Sequence, residues 1–259
     1  MKGLTVYPIY GDYHTHTHHS HGRGTVADNV KAAVSRGLQA IAITDHGPRS
    51  LFGVGVSNPD VFRLIKEEIK SCQVQFPQVK ILLGVEANII DIDGSLDLPP
   101  ESLSQFDLVL AGLHPLVYPE SLVFGLGMVG NLVGRHLTWL ARKLRHWNTQ
   151  AICSALIQNP IDILTHPGLH MNIDTEKVAK ICAQVGTYME INTSHDHITA
   201  EYLKIAFQAG AHFVIDSDAH SPNRVGDVAK GVLLAETAGI PASAIQNTRQ
   251  ETLQRTAKR

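Results

Sequence analysis

The stretch GDYHTHTHHSHG, residues 11–22, holds five histidines, His14, His16, His18, His19 and His21. Imidazoles at that density can hold a cation or move protons near neutral pH. Six more short runs carry polar or ionisable residues: ITDHG, GVEAN, AGLHP, LTHPG, EINTS and DSDAH. Histidines and carboxylates without thiolates are the ligand set of a hydrolytic zinc, manganese or iron centre. One histidine at a strand end is ordinarily a packed or surface residue. The same residue at strand end after strand end points to a shared metal site.

Each run follows a β-rich segment, and these elements must position the ligands. The strand candidates are Leu4–Ile9 leading into Tyr13–His16, then Gln39–Thr44, Lys80–Glu86, Asp107–Leu113, Ile161–Thr165, Thr187–Ile191 and His212–Asp216. Helical patterns lie between them at Ala27–Arg36, Val61–Cys72, Thr175–Val185 and Ala200–Ala209, with Gly37, Gly186 and Gly210 placed to stop three of them. Strands alternating with helices predict parallel β/α units, and seven such units close most readily into one barrel. A parallel barrel gathers the carboxyl ends of its strands on one face, so ligands scattered over two hundred residues become neighbours. Alternation along a strand places His14 with His16, and Asp216 and Asp218 with His220, on common faces.

The apolar fraction is 44%, the charged fraction 18% and the formal net charge −2, which supplies no basic field for long nucleic acid. Cys72, Cys153 and Cys182 stand far apart, so neither a disulfide framework nor a thiolate site is expected, and a reducing cytoplasm fits. The N-terminal residues have no signal-peptide pattern, and no apolar run is long enough to span a bilayer. Residues 115–158 break the β/α rhythm. SLVFGLGMVGNLVG is apolar and uncharged, while RHLTWLARKLRHW is amphipathic and carries Arg135, Arg142, Lys143 and Arg145. Three readings stay open for this mouth insertion: a buried helix pair or homo-oligomer contact, a lid, or a membrane-surface contact.

From DYHTHT to DSDAH, and more loosely into AIQNTRQETLQRT, the chain resembles the PHP (polymerase and histidinol phosphatase) superfamily, most closely its small trinuclear-zinc phosphatases. The resemblance implies a distorted seven-stranded (β/α)7 barrel, TIM-barrel-like, as one domain over residues 1–259. It also implies three divalent ions, zinc first, with manganese or iron possible. His14 and His16 match the family's first H-x-H, and His21 the histidine after it. His46, Glu86, His114 and His166 match single-ligand motifs, and Asp218 and His220 the last motif. By that correspondence His14, His16, Glu86 and Asp218 hold one ion, Glu86, His114 and His166 a second, and His21, His46 and His220 the third. Glu86, Asp218 and His220 are the implied catalytic residues. The implied reaction is hydrolysis of a small phosphomonoester by a hydroxide bridging the ions, which favour oxyanions.

Around that set, Arg23 and Arg49 are rim candidates to fork onto phosphate, and Asn192 and Ser194 to hydrogen-bond substrate. Asp45 is expected to orient a ligand. His18 and His19 read as loop residues; His170, His195 and His197 follow strand ends; His136, His146 and His212 read as structural. Asp216 stands where the family often has glycine, and the 115–158 segment is long for the compact phosphatases. The alternatives are a phosphodiesterase or exonuclease acting on nucleotides, an amidohydrolase-type hydrolase, and a non-catalytic metal-binding interaction module.

Overall fold

The computed structural model describes residues 7–133 and 138–253. Leu4–Val6, Arg135, His136 and the end of AIQNTRQETLQRT lie outside the described residues.

Seven strands run parallel in sequence order: β1 (Gly11–Asp12), β2 (Ala40–Ile43), β3 (Lys80–Asn88), β4 (Leu108–Gly112), β5 (Ile163–Leu164), β6 (Tyr188–Asn192) and β7 (Phe213–Asp216). The sheet curls until its two edges meet, where Thr15 bridges Ala219 in parallel and the His16 amide donates to the Ala219 carbonyl at 2.9 Å. This is the seven-stranded β/α barrel expected from the alternation of elements.

The helices are α1 (Val26–Ser35), α2 (Val61–Gln75), α3 (Leu122–Val133), α4 (Thr138–Gln158), α5 (Thr175–Val185), α6 (Ala200–Gln208) and α7 (Ala229–Ala238). Their starts follow local chemistry. Thr25 and Asp28 form a reciprocal capping box on α1, and the Asp174 and Thr199 side chains accept the first free amides of α5 and α6. Gly186 ends α5 at φ +77°, a left-handed conformation that costs a residue without a β-carbon little. Only a short 3-10 turn, Pro100–Gln105, joins β3 to β4, whereas two helices, α3 and α4, join β4 to β5. The barrel is distorted accordingly.

Both faces of the strands are apolar, as a sheet covered on both sides requires. Ile41, Val85, Val109, Leu164, Ile191 and Ile215 pack outward against the helices. Tyr13, Ala42, Leu82, Leu110, Ile163 and Val214 fill the lower lumen, closed by Leu253, whose amide donates to the Tyr13 hydroxyl at 3.0 Å. The polar cluster can therefore sit only above that plug.

The strands are shorter than the sequence predicts at two places. β1 covers Gly11–Asp12 and not Tyr13–His16, and β5 is two residues long. Along the HTHT run, side chains take the amides that a ladder would use. The amide of Tyr13 donates to Asp216 Oδ1 at 2.7 Å, that of Thr15 to Thr44 Oγ1 at 3.0 Å and that of Thr17 to Asp45 Oδ1 at 2.7 Å. β7 likewise ends at Asp216, and Asp218 follows at φ +50°. Simple alternation therefore does not carry Asp218 and His220 inward; a left-handed residue does. Asp216 faces the Tyr13 amide instead.

Candidate metal centre

Glu86, near the carboxyl end of β3, is fully buried at the middle of the mouth. Its two oxygens face different partners. Oε2 lies 3.2 Å from His14 Nε2, 3.4 Å from His16 Nε2 and 3.0 Å from His46 Nδ1. Oε1 lies 3.1 Å from His114 Nε2 and 2.9 Å from His166 Nε2. One carboxylate is thus set between two groups of imidazoles.

The nitrogens also converge on one another. His14 Nε2 and His16 Nε2 are 3.1 Å apart, and His114 Nε2 and His166 Nε2 are 3.3 Å apart. Asp218 Oδ1 lies 3.3 Å from His16 Nε2 and 3.5 Å from His14 Nε2. Beyond His16, the rings of His46 and His220 stack on it at 4.6 and 4.4 Å, and His21 lies 4.2 Å from His220 and 5.0 Å from His46. Three sets offer ligand atoms within 4.8 Å of one another: His14, His16 and Glu86; His46, Glu86 and His114; His16, His46 and His220. All nine residues singled out as ligands are therefore brought together, and His16 stands with the outer histidines as well as with His14.

The donor set fits divalent cations. Ligands about 2.0–2.1 Å from a tetrahedral ion stand about 3.3 Å from one another, close to the separations seen here. Buried Glu86 Oε2, His16 Nδ1, His46 Nδ1 and His114 Nδ1 have no hydrogen-bond partner among the described residues. For Glu86 Oε2 and His46 Nδ1, which face each other, a buried polar group without such a partner is a mark of an ion that belongs there.

Electrostatics favour the liganding forms of Glu86, Asp218, His16, His21 and His114, whereas the carboxylates around His14 and His166 draw a proton to those two rings. Burial pushes the Glu86 carboxyl upward, but His46, His14 and His114 outweigh it and hold it well below the usual carboxylate range. Burial likewise opposes ionisation of Asp218, and His14 and His16 reverse it. Desolvation holds His16 well below its ordinary value and takes His21 and His114 down to about 4, so their lone pairs are free at neutral pH. Burial lowers His14 too, but Glu190, Glu86 and Asp218 raise it well above the ordinary value.

A family profile for the PHP domain matches residues 12–194. The chain belongs to the PHP family. The matched span ends before Asp218 and His220, which join the cluster through the fold. This PHP chain is 33% identical to a "probable phosphatase" of Caldanaerobacter subterraneus, over 96% of its own length and 91% of that protein's. A "probable phosphatase" of Acetivibrio thermocellus is 30% identical, over 96% and 95%. The crystal structure of histidinol phosphate phosphatase from Lactococcus lactis, complexed with zinc, histidinol and phosphate, superposes with a TM-score of 0.65 at 18% identity, covering 90% of this chain and 94% of that one. That likeness is one of fold.

Other predicted residues of the PHP chain have different surroundings. Arg49 pairs with Glu120 and lies over the Tyr118 ring at 5.7 Å, which anchors the rim loop. Arg23 is exposed at the mouth, with its amide donating to the His220 carbonyl at 2.9 Å. Asn192 is buried and fully engaged: Nδ2 donates to Glu190 Oε2 and Asp218 Oδ2, each at 3.1 Å, and Oδ1 accepts the amides of Ser194 and His195. It orients Asp218, and its hydrogen-bonding capacity is used up in doing so. Asp45 accepts from the Thr17 and Ser20 hydroxyls, so it fixes the loop from His16 to His21. His19 turns to Glu68 at 2.8 Å, and His18 is exposed.

Sequence reasoning missed Glu190. From β6 it accepts from His14 Nδ1 at 2.6 Å and from the His166 amide at 2.5 Å, holding two of the central imidazoles at once. Its signal was present in EINTS, where alternation puts residue 190 on the same face as Asn192.

Proposed function

We propose that this PHP chain is a metal-dependent phosphomonoesterase acting on a small phosphorylated substrate at a centre of three divalent ions, most readily zinc. It is a phosphoric ester hydrolase, and the observation that carries the reading is Glu86, one buried carboxylate offered in two directions to separate groups of imidazoles. His14, His16, Glu86 and Asp218 would hold one ion, Glu86, His114 and His166 a second, and His21, His46 and His220 a third. Such ions supply positive charge for the phosphate oxygens and acidify the attacking water.

The chain's own groups orient and neutralise. Glu86 and Asp218 offset part of the cationic charge, leaving a field that favours a phosphate dianion. Glu190 and Asn192 lock the rings and carboxylates that face the substrate. His195 is partly exposed, with Nε2 3.3 Å from Asp218 Oδ2, and is placed to give a proton to the departing alkoxide. Arg23, at the open rim, is the nearer candidate to fork onto phosphate, and Arg49 would have to leave Glu120 to do so. The mouth insertion, residues 115–158 with α3 and α4, would select among phosphomonoesters. The buried Cys72 and Cys153, both free thiols, fit a reducing cytoplasm.

The test is hydrolysis of p-nitrophenyl phosphate and of the corresponding diester by metal-loaded protein, chelated protein and Glu86→Ala. Monoester turnover lost in both controls is expected, together with loss of at least two of three bound ions in Glu86→Ala. Preference for the diester, or bound metal without turnover of any phosphomonoester in a panel, would overturn the proposal.

A further inference from the structure

The helix α3 is apolar but for Asn131, yet only one side of it is covered. Phe124, Gly127, Met128 and Gly130 face the barrel and α4, where Phe124 meets the Trp147 ring at 4.9 Å and Asn131 exchanges hydrogen bonds with Asn148 at 2.9 and 2.8 Å. The outer side presents Leu122, Val123, Leu126, Val129 and Leu132 to solvent, Leu122 at 80% exposure. Trp139, 60% exposed, stands at the start of α4. Of the fourteen exposed large apolar side chains among the described residues, eight fall between Leu116 and Trp139. A contiguous apolar patch of this kind marks a surface that something else covers.

The charge beside the patch identifies what covers it. Residues 115–158 carry four cationic side chains and one acid, Glu120, a net +3 in a chain of net −2. Arg145 is paired with Asp174 at 3.2 Å in a cleft that Arg142 and Lys177 also line, which leaves Arg142 and Lys143 as the exposed cations of the first turns of α4, and Lys143 Nζ sits 5.5 Å over the Trp139 ring. A twofold copy of the chain seated on this patch would bring like charges together. A soluble protein partner would want hydrogen-bonding groups, and the one polar side chain described in α3, Asn131, is spent on α4. An apolar helix face, an exposed tryptophan and flanking cations together match an anionic lipid surface. No helix among the described residues is long and apolar enough to cross a membrane, so the contact is peripheral.

We propose that the outer face of α3, with Trp139 and the cationic first turns of α4, docks on a membrane surface bearing anionic headgroups. The same face runs into the mouth: the Leu51 amide donates to the Leu116 carbonyl and the Tyr118 amide to that of Arg49, and Phe52 beside them is 86% exposed. Docking would therefore carry the metal centre to the lipid surface.

The test is flotation of the metal-loaded full chain with vesicles of phosphatidylcholine alone and of phosphatidylcholine containing roughly one-third phosphatidylglycerol. Partition into the anionic vesicles at low salt is expected, weakening as salt rises. Arg142→Gln/Lys143→Gln should reduce it roughly 30-fold, at the strength of about 1 kcal/mol for each surface cation. Leu122→Ser/Leu126→Ser should reduce it about tenfold or more through lost apolar burial. All four side chains are outside the folded core, and unchanged melting of both variants checks that. Absence of wild-type flotation with anionic vesicles overturns the proposal, as does wild-type flotation of both variants. A wild-type dimer that Leu122→Ser/Leu126→Ser makes monomeric, without vesicle binding, assigns the face to a second copy instead.

Discussion

Replacing Glu190 by glutamine keeps the side chain's shape and removes its charge and one of its two acceptor oxygens. In the native protein Oε1 takes the Nδ1 hydrogen of His14 at 2.6 Å, and Oε2 takes the His166 amide at 2.5 Å and Asn192 Nδ2 at 3.1 Å. That hydrogen bond holds the proton on His14 Nδ1, so Nε2, which lies between Glu86 and Asp218, would be the atom that gives its lone pair to an ion. Glutamine can satisfy only one side as an acceptor, so its amide must face an N–H donor on the other. A hydrogen bond to a charged group contributes about 1.5–3 kcal/mol, equivalent to roughly 10- to 100-fold in affinity. Zinc affinity of Glu190→Gln, measured by titration against a competing chelator, should fall by about that factor. Turnover of p-nitrophenyl phosphate should fall with it and recover at saturating zinc, because Glu190 acts by positioning His14 and His166. Glu86→Ala should not recover at any zinc concentration. A folded Glu190→Gln protein with native zinc affinity would refute the argument.

Two further outcomes follow from the packing. A β-carbon at Gly127 would overlap the Trp147 ring, so Gly127→Val must push α3 off α4 and should destabilise the protein by about 1–3 kcal/mol in urea unfolding. The Tyr202 hydroxyl donates to the Pro167 carbonyl at 3.1 Å, and burial raises its phenol above the ordinary 10.0. Because the folded state resists ionisation that the unfolded chain accepts, the stability from this group is whole below pH 10 and is lost as pH rises past it. Tyr202→Phe should therefore lose less stability than wild type on the alkaline side, by up to about 1.4 kcal/mol at one pH unit above 10, read as melting temperature across that range.

The architecture was legible because parallel β/α units write themselves in short β-branched runs closed by glycine-stopped helices. Gly37, Gly186 and Gly210 all adopt positive φ where the pattern placed helix stops. The end of β1 was not legible, since the amides of Tyr13, Thr15 and Thr17 leave the ladder for side chains supplied by β7 and by Thr44 and Asp45 just after β2. The ligand histidines were legible from type and recurrence. Glu190 shares a strand face with Asn192, but a lone glutamate in a strand does not reveal its partners until the barrel buries it against His14 and His166. Arg49 and Asn192 looked available for substrate because a sequence does not show that Glu120 and the carboxylates of Glu190 and Asp218 reach them first.

By itself, the sequence of this protein determined its class of fold, its family and the residue types that a divalent-metal centre needs, because these depend on periodicity and on the chemistry of side chains. Only the tertiary structure decided how Glu86 divides its two oxygens, which imidazoles share a partner, and that Asp218 turns inward through a left-handed backbone. It also decided that the apolar helix α3 is covered on one side and bare on the other. Those are relations between elements distant along the chain, set by barrel closure and by the competition of neighbouring groups for the same hydrogen bonds, and no local pattern encodes them.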